Sequence, residues 1–167
     1  MDLLLIRHAI AAERDPGLWP DDSERPLTRK GKQRFRQAAH GLAVIAPRVD
    51  RLFSSPWRRA WQTAVILQEE AGWPVPEALE QLAGNHGPHD VLAAASQLEP
   101  SGVMGLVGHE PVMSELIALM VGADVERDAF LMKKGACALV RFQGAAAARE
   151  GRLEWLVQPA AARALRR

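Results

Sequence analysis

Short apolar runs that stop abruptly at a polar residue recur along this chain, and each is followed by a stretch with helical periodicity. Leu3 to Ile6 ends at Arg7-His8, Leu52-Phe53 ends at Ser54-Ser55, and Val103 to Val107 ends at Gly108-His109. A strand without polar alternation suits a position covered on both faces, as in a parallel sheet. Parallel neighbours need crossover connections, and the helical stretches between the runs supply them. The expected fold is α/β: a three-layer α/β/α sandwich with a mostly parallel central sheet. In such sheets ligands gather at the carboxyl ends of the strands, so the three polar exits are the places to look for chemistry.

The remaining segments fit one domain over residues 1–167, a length that closes a single core. Ala11 to Pro26 holds three prolines and one glycine and reads as a long loop, a candidate lid. Thr28 is placed to cap a helix running to about Ala46, with Phe35, Ala38, Ala39, Leu42 and Ile45 on its apolar stripe. Ser55-Pro56 reads as an N-cap followed by proline at the first helical position, with that helix stopping at Gly72. Residues 73–87 are mixed and rich in Pro and Gly. Asp90 to Leu98 and Val112 to Val121 read as further helices, and Ala136 to Phe142 and Leu153 to Val157 as late strands. The small-residue stretch Gly144 to Ala148 between those strands reads as a hairpin loop.

Charge and cysteine content exclude several function classes. Lys plus Arg number 21 against 20 for Asp plus Glu, a net charge of +1, with no basic block for nucleic acid. One cysteine, Cys137, permits neither an intramolecular disulfide nor a Cys-rich metal site. No apolar run approaches the roughly 20 residues that span a bilayer, and the N-terminus lacks a secretory pattern. The expectation is a cytoplasmic protein without membrane or nucleic-acid partners.

The strand exits share one chemistry. Arg7-His8 offers an anion clamp beside an imidazole whose lone pair can attack an electrophile. Arg58 and Arg59 fall in the first turn of a helix, where the dipole disfavours a cation by about 0.3–1 kcal/mol. One of the pair is therefore expected to face an anion and the other water; the planar guanidinium fork suits phosphate. His109 sits between a buried strand and the start of the next helix, a second end rich in free N–H groups. Two histidines and two or more arginines at neighbouring exits match a phosphate dianion.

Four ordered segments carry a family resemblance. They are Leu5-Ile6-Arg7-His8-Ala9; Arg25-Pro26-Leu27-Thr28-x-x-Gly31; Ser54-Ser55-Pro56-x-x-Arg59-Ala60-x-Gln62-Thr63-Ala64; and Val107-Gly108-His109-Glu110-Pro111. Together they resemble the histidine phosphatase, or phosphoglycerate-mutase-like, superfamily. The short length and Arg25-Pro26-Leu27-Thr28 are similar to its SixA-type phosphohistidine phosphatase branch. The resemblance implies His8 as the nucleophile that becomes phosphorylated. It implies Arg7 and Arg59 as phosphate-binding arginines, His109 as the second histidine that binds the phosphoryl group, and no metal or organic cofactor. Arg58 does not match and is expected to be peripheral. The implied partner is a phosphorylated protein bearing phosphohistidine, or a small phosphorylated molecule.

Two departures stand out. Ala9 replaces the glycine of the usual Arg-His-Gly, and no glutamate acid aligns before the third helix. Glu80, His86, His89 and Asp90 remain candidates for that acid, alongside none at all. A phosphoamidate to imidazole needs less help from an acid than an alkyl ester, because the leaving imidazole can take its proton from solvent. His86-Gly87-Pro88-His89 lacks the further ligands that a zinc site requires. Competing readings are a phosphatase or mutase acting on a small metabolite and a non-catalytic phosphate-binding module. An intact histidine pair argues against the module.

Overall fold

A computed structural model describes residues 1–98, 102–123 and 129–165. The strands are β1 (Asp2–Arg7), β2 (Arg51–Ser54), β3 (Pro76–Ala78), β4 (Val103–Gly108), β5 (Cys137–Arg141) and β6 (Arg152–Val157). The helices are α1 (Arg29–Ile45), α2 (Arg58–Ala71), α3 (Pro88–Gln97), α4 (Val112–Val121) and α5 (Pro159–Ala164). The strands form one sheet in the order β3-β2-β4-β1-β5-β6. β3, β2, β4 and β1 run parallel, while β5 and β6 are antiparallel additions at one side. The sheet is mostly parallel, as the unalternated runs require.

The three layers follow from the two faces of each central strand. Leu4 and Ile6 of β1 pack with α1, α2 and α5 through Phe35, Ala64 and Ala162. Leu3 and Leu5 face the other way, onto Val91 of α3 and Leu116 of α4. Each face removes large aliphatic side chains from water, at roughly 1.5–3 kcal/mol per fully buried residue. An apolar residue at every position from Leu3 to Ile6 is therefore required rather than tolerated.

Thr28 caps α1 as expected, its Oγ1 accepting from Gly31 N–H at 2.9 Å. The side-chain stripe is buried from Phe35 to Leu42, with Ile45 only partly covered. A Cβ on Gly31 would collide with the Ile10 carbonyl, and one on Gly41 with the Ala162 carbonyl. Both positions therefore need glycine for close backbone approach.

Several boundaries differ from expectation. α2 begins at Arg58 rather than at Pro56, because Ser55 Oγ accepts from Trp57 N–H at 3.2 Å in a turn that precedes the helix. α3 begins at Pro88, two residues early, with Asp90 accepting from Gly87 N–H at 3.0 Å. Residues 73–87 contain the short edge strand β3 and a 3₁₀ turn at Glu80–Leu82, and α5 follows β6 directly. The loop of residues 11–26 carries a 3₁₀ turn at Asp22–Glu24 and closes on a bridge between Ala11 and Leu27. The Gly144 to Ala148 stretch lies in the hairpin between β5 and β6. Among the described residues no helix is long and apolar enough to cross a membrane.

Candidate active site

The parallel register aligns Arg7 with Gly108 and Ser54 with Val107, so the three polar exits lie side by side at one edge of the sheet. The His8 and His109 ring centroids are 5.1 Å apart. His8, Arg59 and His109 are 6%, 4% and 4% exposed, deeply buried for such polar groups. Arg58, beside Arg59, is exposed. The first turn of α2 thus points one arginine into the crevice and the other into water.

His8 Nδ1 lies 2.7 Å from the Ala9 carbonyl. A carbonyl only accepts, so this nitrogen carries the proton and Nε2 carries the lone pair. Burial holds the His8 imidazole well below the ordinary histidine range, and His109, Arg59 and Arg7 push in the same direction against the Ala9 carbonyl. The ring is neutral near pH 7 and available as a nucleophile. Ala9 N–H donates to Thr63 Oγ1 at 3.0 Å, and Thr63 donates on to the Arg59 carbonyl at 2.7 Å. Thr63 therefore ties the backbone after His8 to the first turn of α2.

His109 Nε2 is 2.9 Å from Ser55 Oγ, and burial followed by Arg59 lowers its pKa to about 3. Ser55 Oγ also accepts from Trp57 N–H and still has its own proton to give; with that proton donated to Nε2, the ring hydrogen lies on Nδ1 at the opposite edge. Trp57 packs against His109 at 4.9 Å and lies under the Arg59 guanidinium at 4.7 Å. Trp61 is half-buried on the next turn of α2.

Each arginine is aimed by a partner that the sequence did not disclose. Arg59 Nη1 and Nη2 donate to the Asp22 carbonyl at 2.7 Å and to its carboxylate at 3.0 Å. Asp22 also receives Arg25 at 2.8 Å, and this bond holds its carboxyl below the usual range. Arg7 Nη1 donates to the Met132 carbonyl at 2.6 Å, and Met132 N–H donates to Glu110 at 3.2 Å. Glu110 also accepts from Ser114 N–H at 3.2 Å. The N-terminal end of α4, expected to offer free N–H groups, is thus met by its own carboxylate.

Three buried nitrogens have no hydrogen-bond partner among the described residues: Arg7 Nε, Arg59 Nε and His109 Nδ1. An unsatisfied buried donor costs about 1–3 kcal/mol, and more when charged. All three belong to residues gathered from the separate strand exits, a setting chemically suited to donation to an oxyanion.

The acid candidates make no hydrogen bond to His8, His109, Arg7 or Arg59 among the described residues. Asp90 caps α3 and lies 3.7 Å from His86, and Glu80 and His89 are exposed. Asp22 is the carboxylate whose charge reaches His109. Cys137 is fully buried in β5, where burial pushes its thiol up. Among the described residues no group of His, Cys, Asp and Glu is arranged to hold a metal.

Comparison with known proteins agrees with this fold. The model of the histidine phosphatase superfamily (branch 1) matches residues 3–84, which include Arg7, His8 and Arg59. An uncharacterized protein of Picosynechococcus sp. is 35% identical over 117 residues, 69% of this chain and 70% of the relative. The protein histidine phosphatase SixA, solved with tungstate, superposes with a TM-score of 0.81 at 24% identity, covering 96% of this chain and 98% of its own. A protein assigned as phosphohistidine phosphatase SixA from Agrobacterium tumefaciens gives 0.77 at 26% identity, covering 95% and 97%. The described fold has the phosphoglycerate-mutase-like architecture. The chain belongs to the histidine phosphatase superfamily, and it is a phosphatase.

Proposed function

We propose that the chain removes phosphoryl groups through a covalent phosphohistidine on His8, and that its substrate is a phosphohistidine-bearing protein, as in SixA. The observation that carries the reading is the His8 tautomer, whose Nε2 lone pair belongs to the same buried cluster as the three unpartnered nitrogens. In the first step Nε2 attacks phosphorus and the bond to the leaving group breaks. Arg7, Arg59 and His109 Nδ1–H meet the charge spread over the phosphoryl oxygens in the transition state. A leaving imidazole takes its proton from solvent. In the second step water attacks the phosphorus on His8, releasing inorganic phosphate and restoring the free ring. Catalysis is then mostly positioning and electrostatic stabilisation.

The substrate class is supported by the setting of the acid candidates. Asp90 is committed to a helix cap and lies beside His86, and Glu80 and His89 are exposed; the carboxylate whose charge reaches His109, Asp22, is committed to two arginines. With no carboxylic acid buried beside His8 and His109 among the described residues, the reading favours a leaving group that needs little protonation by the enzyme. Residues 11–26, the candidate lid, are pinned to Arg59 through Asp22, an arrangement in keeping with an open site for a protein substrate. Asp22 and Glu110 serve in this reading as positioning residues.

The test is rapid quench with labelled phosphoramidate and a phosphohistidine protein. Wild type should trap label on histidine, and His8→Ala should trap none while keeping the native circular dichroism spectrum. Equal label on His8→Ala would remove His8 as nucleophile. Turnover of sugar phosphates or phosphoglycerates in preference to both phosphoamidate substrates would move the enzyme to small metabolites.

A further inference from the structure

A second cavity, of ≈ 460 Å³, opens against the two residues bonded to His8, namely Arg7 and Ala9. Its rim carries Arg34 from α1, Lys133 and Lys134 from the segment before β5, and Arg163 from α5. None of these four meets a carboxylate among the described residues. Arg25, Arg36, Arg51, Arg59, Arg141 and Arg152 all do. Among the described residues no acidic side chain lines the cavity. With a net charge of only +1 over the chain, this local excess is not a reflection of a basic protein.

The backbone that carries the lysine pair is fixed against the cavity. Lys133 N–H donates to Gln158 Oε1 at 3.0 Å, and Gln158 Nε2 donates to the Leu131 carbonyl at 2.8 Å. Gly135 N–H donates to the carbonyls of both Arg7 and His8 at 3.1 Å, which fixes the lysine pair beside the end of β1. Between the cations the wall is apolar, formed by Ile10, Phe35 and Pro159. Like charges brought together in a concave site raise the local concentration of anions. The volume lies within the roughly 300–1,000 Å³ typical of ligand pockets.

We propose that this cavity binds a second anionic group of the substrate, a carboxylate or phosphate on a short apolar stem, while the transferring phosphoryl group sits at His8. The proposal rests on His8 as the phosphoryl acceptor. On a phosphoprotein the anion is an acidic side chain beside the phosphohistidine; on a metabolite it is a second phosphate or carboxylate. Binding energy from this non-reacting anion holds the reacting group in line.

The experiment compares the full chain with Lys133→Ala/Lys134→Ala and with Arg34→Ala. Substrates are phosphoramidate, phosphohistidine peptides with glutamate or with alanine flanks, and mono- and bisphosphorylated three-carbon acids. Wild type should prefer the more anionic member of a pair by about tenfold, mainly in KM, and the double variant should lose most of that preference. Phosphoramidate turnover should stay unchanged in all variants. The preference should also shrink as ionic strength rises, since Arg34, Lys133 and Lys134 are exposed and Arg163 partly so. Preference within the peptide pair locates the source in a protein; preference within the acid pair alone locates it in a metabolite. Equal loss for acidic and neutral partners, or no preference in wild type, would overturn the subsite. Failure to label His8 with any substrate would instead overturn the reading on which it rests.

Discussion

One carbonyl decides what His8 can do. Because Ala9 accepts from Nδ1, the lone pair is confined to Nε2, and burial keeps it there down to pH values below the ordinary histidine range near 6.5. Ser55 performs the matching service for His109, which presents a donor edge. The two rings are chemically alike and differ in role through their hydrogen-bond partners alone. The arginines divide in the same way. Arg59 is buried, clamped by Asp22 on two nitrogens, and keeps its third nitrogen unpartnered, whereas Arg58 is exposed one residue away. Arg59→Ala should lower kcat/KM by about 100-fold or more, since a desolvated, charge-assisted contact to the transition state is lost. Arg58→Ala should stay within about twofold. Steady-state kinetics on both variants checks this, and the reverse ranking would reassign the phosphate contact. His8, His109, Arg7 and Arg59 were legible in the sequence because each sits at a strand exit or in a first helical turn. Asp22 and Glu110 were not: Asp22 meets Arg59 37 positions away and Glu110 meets Met132 22 positions away, through loops without periodicity.

At the scale of elements, the strongest signals were apolar runs closed by an unambiguous stop. α4 runs from Val112 to Val121 as expected, ended by Gly122 in the left-handed conformation with φ 69°. β1 and β4 extend at most one residue beyond their apolar runs at either end. α2 was misplaced by two residues because Ser55 has the residue type of a cap but uses its hydroxyl on a turn and on His109. β3 has three residues and two exposed positions, too little for a period-2 pattern, and the alanine-rich α5 offers no polar face to contrast with an apolar one. Glycine in α1 gives the sharpest test of whether packing or propensity governs an element. Helix propensity alone predicts that Gly31→Ala gains up to about 1 kcal/mol. The Cβ would collide with the Ile10 backbone, which belongs to the segment leaving His8, and overpacking of this kind costs about 1–3 kcal/mol. Gly31→Ala should therefore be less stable in urea unfolding. A more stable variant would show that the Ile10 segment yields freely.

The whole molecule brings three strand exits, two helix starts and one long loop to the same edge of the sheet, and the result is a set of buried cations and neutral histidines. This arrangement ties the fold to proton and anion concentration. In the unfolded chain both histidines titrate near 6.5. In the folded chain His109 titrates at about 3 and His8 lies well below its ordinary value. Above pH 6.5 neither state takes up protons at these groups, so their contribution to stability is full. Between pH 6.5 and about 3 the unfolded chain binds more protons, so stability falls as pH falls, by up to about 1.4 kcal/mol per pH unit for each histidine. An oxyanion bound to the folded site opposes this loss in two ways. It stabilises by mass action, about 2.7 kcal/mol at 100 times its Kd, and its charge favours a proton on His109. The expected outcome is a thermal midpoint that is flat above pH 7 and declines below it, with vanadate raising the midpoint most on the acid side. His109→Gln should show roughly half the acid slope between pH 6 and 4, whatever its starting stability. Thermal unfolding of both proteins at half-unit pH steps, with and without vanadate, reads the slopes directly. Parallel slopes for wild type and His109→Gln would show that His109 titrates alike in the folded and unfolded chain, and the neutral histidine pair would not describe this site.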